Sequence, residues 1–169
     1  CDAPSGRPET GPLNTASKPS ATDPSVAPAG HENLFVLVPV PADPSVGHGD
    51  MYRGEASEQV QRIADAAIEQ IASRCGVAGL GRRIVVKRTL GPADFAERYN
   101  AWSGGSIGPA HTLRQSAFLR GSNKSRKVES LMYAGATTTP GVGVPMCLIS
   151  AENVLKRVRG NRSSGPLDR

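Results

Sequence analysis

Residues 131–158 constrain the fold more than any other stretch. Leu131-Met132-Tyr133-Ala134 reads as a short strand, and Gly135-Ala136-Thr137-Thr138-Thr139-Pro140-Gly141-Val142-Gly143 as a glycine-rich loop. An amphipathic run from Pro145 to about Arg159, closed by Gly160, reads as a helix. A strand feeding a bare loop and then a helix start brings backbone N–H groups against something electron-rich. Val144, the expected N-cap, carries no side-chain acceptor, so the first amides find no partner inside the helix. Pro145 suits the first helical position, where a missing donor is no loss. The amides of Met146 to Leu148 are then left for an external acceptor at the positive end of the dipole. Glycine turns also arise where a chain simply bends, so the pattern alone leaves ligand loop and plain turn equally open.

Elsewhere the chain alternates short elements with turns. Its 169 residues suit about one domain by length, but 19 Gly, 14 Pro and only 4% aromatics leave little material for a core. Residues 1–32 form an extended leader without periodicity, with a strand near 13–17 and a turn at Asp23-Pro24-Ser25. Residues 34–38 read as an apolar strand, 43–54 as an exposed loop, and 57–74 as the clearest helix. Val60, Ile63, Ala64, Ala67, Ile68 and Ile71 share one face of that helix, with Ser57 as N-cap and Gly76 just past its end. Residues 84–89 read as a second strand, and Gly91-Pro92 opens a short helix to about Tyr99. Gly104-Gly105-Ser106-Ile107-Gly108 lacks the Lys-Ser/Thr ending of a nucleotide loop and follows no clean strand, so it is read as a bend. Leu113 to Arg120 is amphipathic, 122–127 is a basic turn, and 161–169 is a frayed tail.

The string from Tyr133 to Met146 closely resembles the C-terminal signature of the bacterial-type carotenoid desaturases, the phytoene desaturase family. Gly108-Pro109-Ala110-His111-Thr112-Leu113-Arg114-Gln115-Ser116-Ala117-Phe118-Leu119-Arg120 is similar to the block that precedes the signature. So are Asp23 to Gly30 and Asn33 to Pro41 to blocks further upstream. The blocks keep family order from about Leu13 to Val158. No strand–G-x-G-x-x-G–helix unit with an acid ~20 residues on is present, and the third glycine after Gly141-Val142-Gly143 is missing. The expected class is therefore α/β, or mixed α+β. The chain would be the C-terminal part of a two-domain, Rossmann-like FAD flavoprotein whose N-terminal dinucleotide-binding unit is missing. Residues 33–107 would belong to the substrate domain, and 108–160 would return to the FAD domain.

The resemblance implies FAD-dependent desaturation of phytoene, a hydrophobic carotenoid precursor, with the redox chemistry carried by the cofactor. It implies that Gly135 and Ala136 lie against the ribityl–pyrophosphate chain, and that Gly143, Val144, Pro145 and Met146 form the amide edge facing the flavin. Wider flavoprotein relatives place an Asp where Ala136 stands, and relatives often show proline where Gly121 follows Arg120. No catalytic side chain is assigned. His111 and Arg114 invite such roles but are ordinary packing or surface residues by default, and Arg114 and Arg120 are weighed as cofactor-phosphate contacts against surface pairing.

Charge and cysteines bound the remaining classes. Ten Lys or Arg against three acids give 114–169 a formal +7 within a total of +5. A small basic nucleic-acid module is one alternative, but no aromatic interleaves with 122–127 to stack bases, so no nucleic-acid partner is expected. An inactive truncated remnant is another, and a related isomerase, ketolase or later-step desaturase is a third. Three scattered cysteines, Cys1, Cys75 and Cys147, suit neither a disulfide framework nor a metal site. Cys147 at a helix start is either a reactive thiol or a small packing residue. With no signal peptide and no run of ~18 apolar residues, the expected location is cytoplasmic, with peripheral membrane contact inferred from the lipid substrate.

Overall fold

Two compact units divide the chain at Gly104, where the sequence suggests a boundary after 107. The computed structural model describes residues 15–109, 112–115 and 119–167. His111 and residues 116–118 of the amphipathic block, and Leu13 of the first strand, lie outside them. Among the described residues, helices and one small sheet make up the fold, and no helix is long and apolar enough to cross a membrane.

The first unit starts with β1 (Thr15–Ser17) and β2 (Phe35–Leu37), paired antiparallel with Ala16 opposite Val36. The partner of the first strand is β2, across the turn expected at Asp23-Pro24-Ser25. Two tight turns reverse the chain between them. In the second turn the Asp23 carboxylate accepts from the Ser25 amide at 2.9 Å and the Ser25 hydroxyl at 2.6 Å. Glu32 then ties back to Lys18 and Ser20 at 3.1 and 2.6 Å.

Helix α1 (Glu58–Cys75) occupies the span expected for it and ends on Gly76 in the left-handed conformation, φ 65°. Val60 and Ala67 are its buried residues, and α2 (Leu80–Arg83) packs beside it. Ser57 sits at the N-cap without capping. Its hydroxyl donates instead to the His48 carbonyl at 3.2 Å.

One expectation fails around residue 50 and another holds only in part, for one reason. Residues 84–89 form no strand, and 43–54 is exposed at 43–45 and 51–54 but buried or half-buried at 46–50. The Asp50 carboxylate accepts from the Thr89 amide at 2.6 Å and the Thr89 hydroxyl at 2.9 Å, while the Asp50 amide donates to that hydroxyl at 3.0 Å. Met51 donates to the Thr89 carbonyl at 3.3 Å. A side chain thus takes the ladder position a neighbouring strand would fill, and Val85 and Val86 stay exposed. The approach is close enough that a Cβ on Gly49 would lie 1.9 Å from the Thr89 carbonyl oxygen, so only glycine fits. Val46 and Gly49 of the supposed loop are buried.

Helix α3 (Pro92–Tyr99) begins with proline in its first turn, and Asp94 closes it. Asp94 is 1% exposed and accepts from the Gly91 amide at 2.8 Å and the Gly49 amide at 2.6 Å. One carboxylate therefore caps its own helix and holds the 47–49 loop against it. Asp94→Ala should leave both amides buried and unpaired, destabilising this unit by roughly 2–4 kcal/mol. The measurement is a urea transition of the chain followed by far-ultraviolet circular dichroism, with exchange of the Gly49 and Gly91 amides as local probe.

In the second unit residues 131–134 do not form the expected strand. Only isolated bridges are present among the described residues, Lys124 with Met132 and Gly121 with Thr138. The Ser125 amide reaches the Leu131 carbonyl at 2.9 Å and the Tyr133 amide the Asn123 carbonyl at 2.8 Å. The ladder stops there because the Tyr133 carbonyl accepts from the Asn123 side chain. Helix α4 (Val144–Val158) follows the glycine loop. Residues 161–167 are not frayed. Lys156 donates to the carbonyls of Ser163 and Gly165, and the Leu167 amide donates to Glu152 at 2.7 Å.

That amide, with the Lys156 ammonium at 3.2 Å, holds the Glu152 carboxyl below its ordinary pKa. A lowered carboxylate pKa means the tether is intact above the usual glutamate range and is lost as pH falls beneath it. The Leu167 amide resonance should shift across that window, and Glu152→Gln should remove the pH dependence.

Candidate functional site

The glycine-rich loop is held from below by one buried polar cluster. Asn123 (3% exposed), Thr138 (5%) and Ser150 (0%) meet beneath it. Asn123 Nδ2 donates toward the Tyr133 carbonyl at 3.0 Å, the Thr139 carbonyl at 3.2 Å, Thr138 Oγ1 at 3.2 Å and Ser150 Oγ at 3.0 Å. Ser150 Oγ also accepts from the Gly135 amide at 3.1 Å and lies 2.8 Å from Thr138 Oγ1. Thr138 Oγ1 donates to the Gly135 carbonyl at 3.1 Å. Ser150 can donate to Thr138 with each hydroxyl accepting from its remaining neighbours, and the two Nδ2 protons of Asn123 are shared among four acceptors. No buried side-chain nitrogen or oxygen among the described residues lacks a partner, which is what makes burial of so polar a centre tolerable.

Arg120 braces the other side. Only 6% exposed, it donates from Nε to the Ala136 carbonyl at 2.8 Å and from its terminal nitrogens to the Gln115 and Ile107 carbonyls at 3.3 Å each. It forms no ion pair among the described residues, so the expectation of surface pairing is corrected. The planar fork reaches three separate turns, a task an ammonium cannot copy. Thr139 adds donors from its amide at 2.9 Å and its hydroxyl at 3.1 Å to the Gly121 carbonyl. Arg114 lies on an exposed turn at Leu113–Gln115.

These ties fix the site residues expected from sequence. Gly135 has φ 115°, and a Cβ there would meet nothing within 4 Å, so its face is open. Ala136 follows, with its carbonyl turned into Arg120. Gly143, not Val144, is the N-cap, at φ 112° and ψ 150°, and Pro145 is the second helical residue rather than the first. The earlier start changes which amides are free. Cys147 is the first donor of the α-helical ladder, to the Gly143 carbonyl at 2.9 Å, so its amide and the next are satisfied internally. The amides of Val144 and Met146 have no acceptor among the described residues. Gly143 to Pro145 are exposed and Met146 half-buried, so this edge faces outward at the positive end of α4. Cys147 is half-buried.

Sequence reading missed Asn123, Thr138 and Ser150. Asn123 sits among basic turn residues and Ser150 in mid-helix, and neither placement signals burial. The available hint was the spacing of Ser150 from Cys147 and Met146, which puts a polar group on the loop-facing side of α4. Ser150→Ala should leave the Gly135 amide without its buried acceptor, destabilising the unit by roughly 1–3 kcal/mol. Accelerated amide exchange at Gly135, with α4 still helical by circular dichroism, is the expected readout; Ser150→Thr should retain most of the protection.

No family model matches the chain. Individual relatives do. It is 52% identical over 135 residues, 80% of its length, to a carotenoid 3,4-desaturase of Haloarcula japonica, of which the match covers 25%. It is 35% identical over 134 residues to the 4,4'-diapophytoene desaturase (4,4'-diaponeurosporene-forming) of Staphylococcus aureus, covering 79% of the chain and 26% of the relative. The protein of that name from Staphylococcus haemolyticus is 33% identical over 138 residues, with the same two coverages. The chain thus spans about a quarter of the length of the curated relatives it matches. Identity of 52% sustained over four fifths of the chain reflects common descent with part of a carotenoid desaturase.

Proposed function

We propose that this chain is the C-terminal, flavin-closing part of an FAD-dependent carotenoid desaturase, acting on phytoene at a cytoplasmic membrane face. The match to carotenoid desaturases carries the reading, and the geometry of the loop supports it. Gly135 leaves open space where any other residue would project a side chain, and the Val144 and Met146 amides have no acceptor among the described residues. That combination suits a cofactor whose chain passes close to backbone and whose ring edge accepts hydrogen bonds. Flavin, when bound, supplies acceptance of a hydride from an allylic carbon of the polyene.

This chain's own residues would hold and orient. Bare Gly135 and small Ala136 admit the ribityl–pyrophosphate chain. Val144 and Met146 donate toward the carbonyl edge of the ring, where the dipole of α4 favours added negative charge. The cluster at Asn123, Thr138 and Ser150 keeps loop and helix start at one separation. An apolar precursor offers no charge for an arginine to bind, which fits Arg120 spending its donors on backbone carbonyls.

Exposed apolar surface supports a larger whole. Val144, Leu148, Leu155 and Val158 follow one stripe of α4 and all remain exposed. Phe35 and Leu37 on the sheet are likewise open. We infer that the dinucleotide-binding portion of the desaturase covers the α4 stripe. The 52% identity to a carotenoid 3,4-desaturase favours a second reading, in which the substrate is a later, already conjugated carotenoid.

The isolated chain should purify colourless, without flavin absorbance, because it supplies one side of the proposed cofactor site. A polypeptide that adds a dinucleotide-binding portion should bind FAD and desaturate an added polyene, and phytoene and a conjugated carotenoid offered separately distinguish the two readings. Stoichiometric FAD on the 169 residues alone would overturn the division of labour.

A further inference from the structure

We propose that a cationic depression on the second unit docks the phosphate headgroups of an anionic membrane surface. Ser122, Lys124, Ser125, Arg126, Lys127, Val128, Glu129 and Arg157 enclose about 610 Å³. Four cations therefore face one acid. None of the four holds an ion pair among the described residues, whereas Lys156, next to Arg157, is taken by Glu152 at 3.2 Å. Gly135, Ala136 and Gly143 do not line the depression, so it is separate from the proposed flavin edge.

The cations project from a fixed backbone. The Ser122 hydroxyl accepts from the Lys124 amide at 3.1 Å, and the Ser125 hydroxyl accepts from the Lys127 and Val128 amides at 3.2 and 3.0 Å. Asn123, inside the same turn, is anchored in the buried cluster. Ordering these charges on binding thus loses less entropy than it would for a flexible basic tail.

A bilayer fits this surface better than a nucleic acid. No aromatic side chain lines the depression, so bases find nothing to stack on. Val128 lines it and is 53% exposed. Cations beside an exposed aliphatic group suit the boundary between headgroups and acyl chains. The choice of lipid draws on the membrane-dissolved substrate of the proposed function; the cation cluster does not.

The test is vesicle flotation of the full chain without flavin, so its outcome is independent of whether the cofactor reading holds. Vesicles of phosphatidylcholine alone are compared with vesicles containing phosphatidylglycerol, at low and raised salt. Binding should require phosphatidylglycerol and weaken with salt. At about 1 kcal/mol per cation, the combined Lys124→Gln, Arg126→Gln, Lys127→Gln variant should bind roughly a hundredfold more weakly. Glu129→Gln should bind more tightly. An equal charge loss placed elsewhere, Arg62→Gln, Arg82→Gln, Arg83→Gln, should leave binding unchanged. Equal weakening by that control, or wild-type binding by the first variant, overturns the proposal. So does tighter binding to a single-stranded oligonucleotide, or a response to inorganic phosphate with no vesicle binding.

Discussion

One carboxamide, that of Asn123, determines how the second unit is assembled. Its Nδ2 points at acceptors from the 131–134 segment, the glycine loop and helix α4 at once. In water those groups are satisfied separately, and nothing in the local sequence brings them together. Buried, they must satisfy one another, and few arrangements achieve that with one amide and two hydroxyls. The loop is consequently determined from beneath by polar accounting, and its upper face is free to carry bare backbone outward. A packed apolar core would fix the loop less specifically, because dispersion is tolerant of direction and hydrogen bonds are not.

The first unit uses the same device with a charge in place of an amide. Asp94 binds the Gly91 and Gly49 amides, and Asp50 binds the amide and hydroxyl of Thr89. Burial raises the Asp50 pKa, but the two Thr89 donors, its own amide and the Arg88 charge together outweigh it and hold the carboxyl below its ordinary range. Among the described residues only Val46, Val60, Ala67 and Pro92 are buried apolar side chains. With so little hydrophobic burial, side-chain-to-backbone bonds supply the specificity that layered strands and helices otherwise provide. The composition foreshadows this: a chain poor in aromatics and rich in glycine brings backbone close to side chains.

Elements whose evidence is local were readable. Helix α1 has its apolar face every three to four residues and a glycine to end it, and α3 has proline in its first turn. The Asp23-Pro24-Ser25 turn follows from an Asx carboxylate beside a fixed φ. Both lost strands, 84–89 and 131–134, have the right residue types, but a strand exists only through its partner. In each case a side chain, Asp50 or Asn123, occupies the hydrogen-bonding position. The helix start moved by one residue for a similar reason. Gly143 at φ 112° delivers the turn that any other residue resists, so the glycine is the cap and Val144 the first helical residue. At the candidate site, sequence indicated the loop and its bare glycines, while Asn123, Thr138, Ser150 and the buried Arg120 came only from the fold.

The shift of the cap alters the chemistry it can support. With Val144 as cap, the free donors would be three successive amides near the helix axis. With Gly143 as cap and proline second, the free donors are Val144 and Met146, separated by a residue that has no N–H. Two donors spaced across a proline suit a flat edge with two acceptors better than a compact tetrahedral anion, which several converging amides would grip. Proline also keeps water from competing at the middle of the edge, since it leaves no N–H there to solvate. The same geometry explains the tolerance of Val144, an exposed apolar side chain at a helix start. Its amide faces the open site, and its side chain begins the uncovered stripe that runs down α4 to Val158. Hydrogen-bonding edge and apolar stripe therefore share one helix, so whatever covers the stripe is placed in register with the edge.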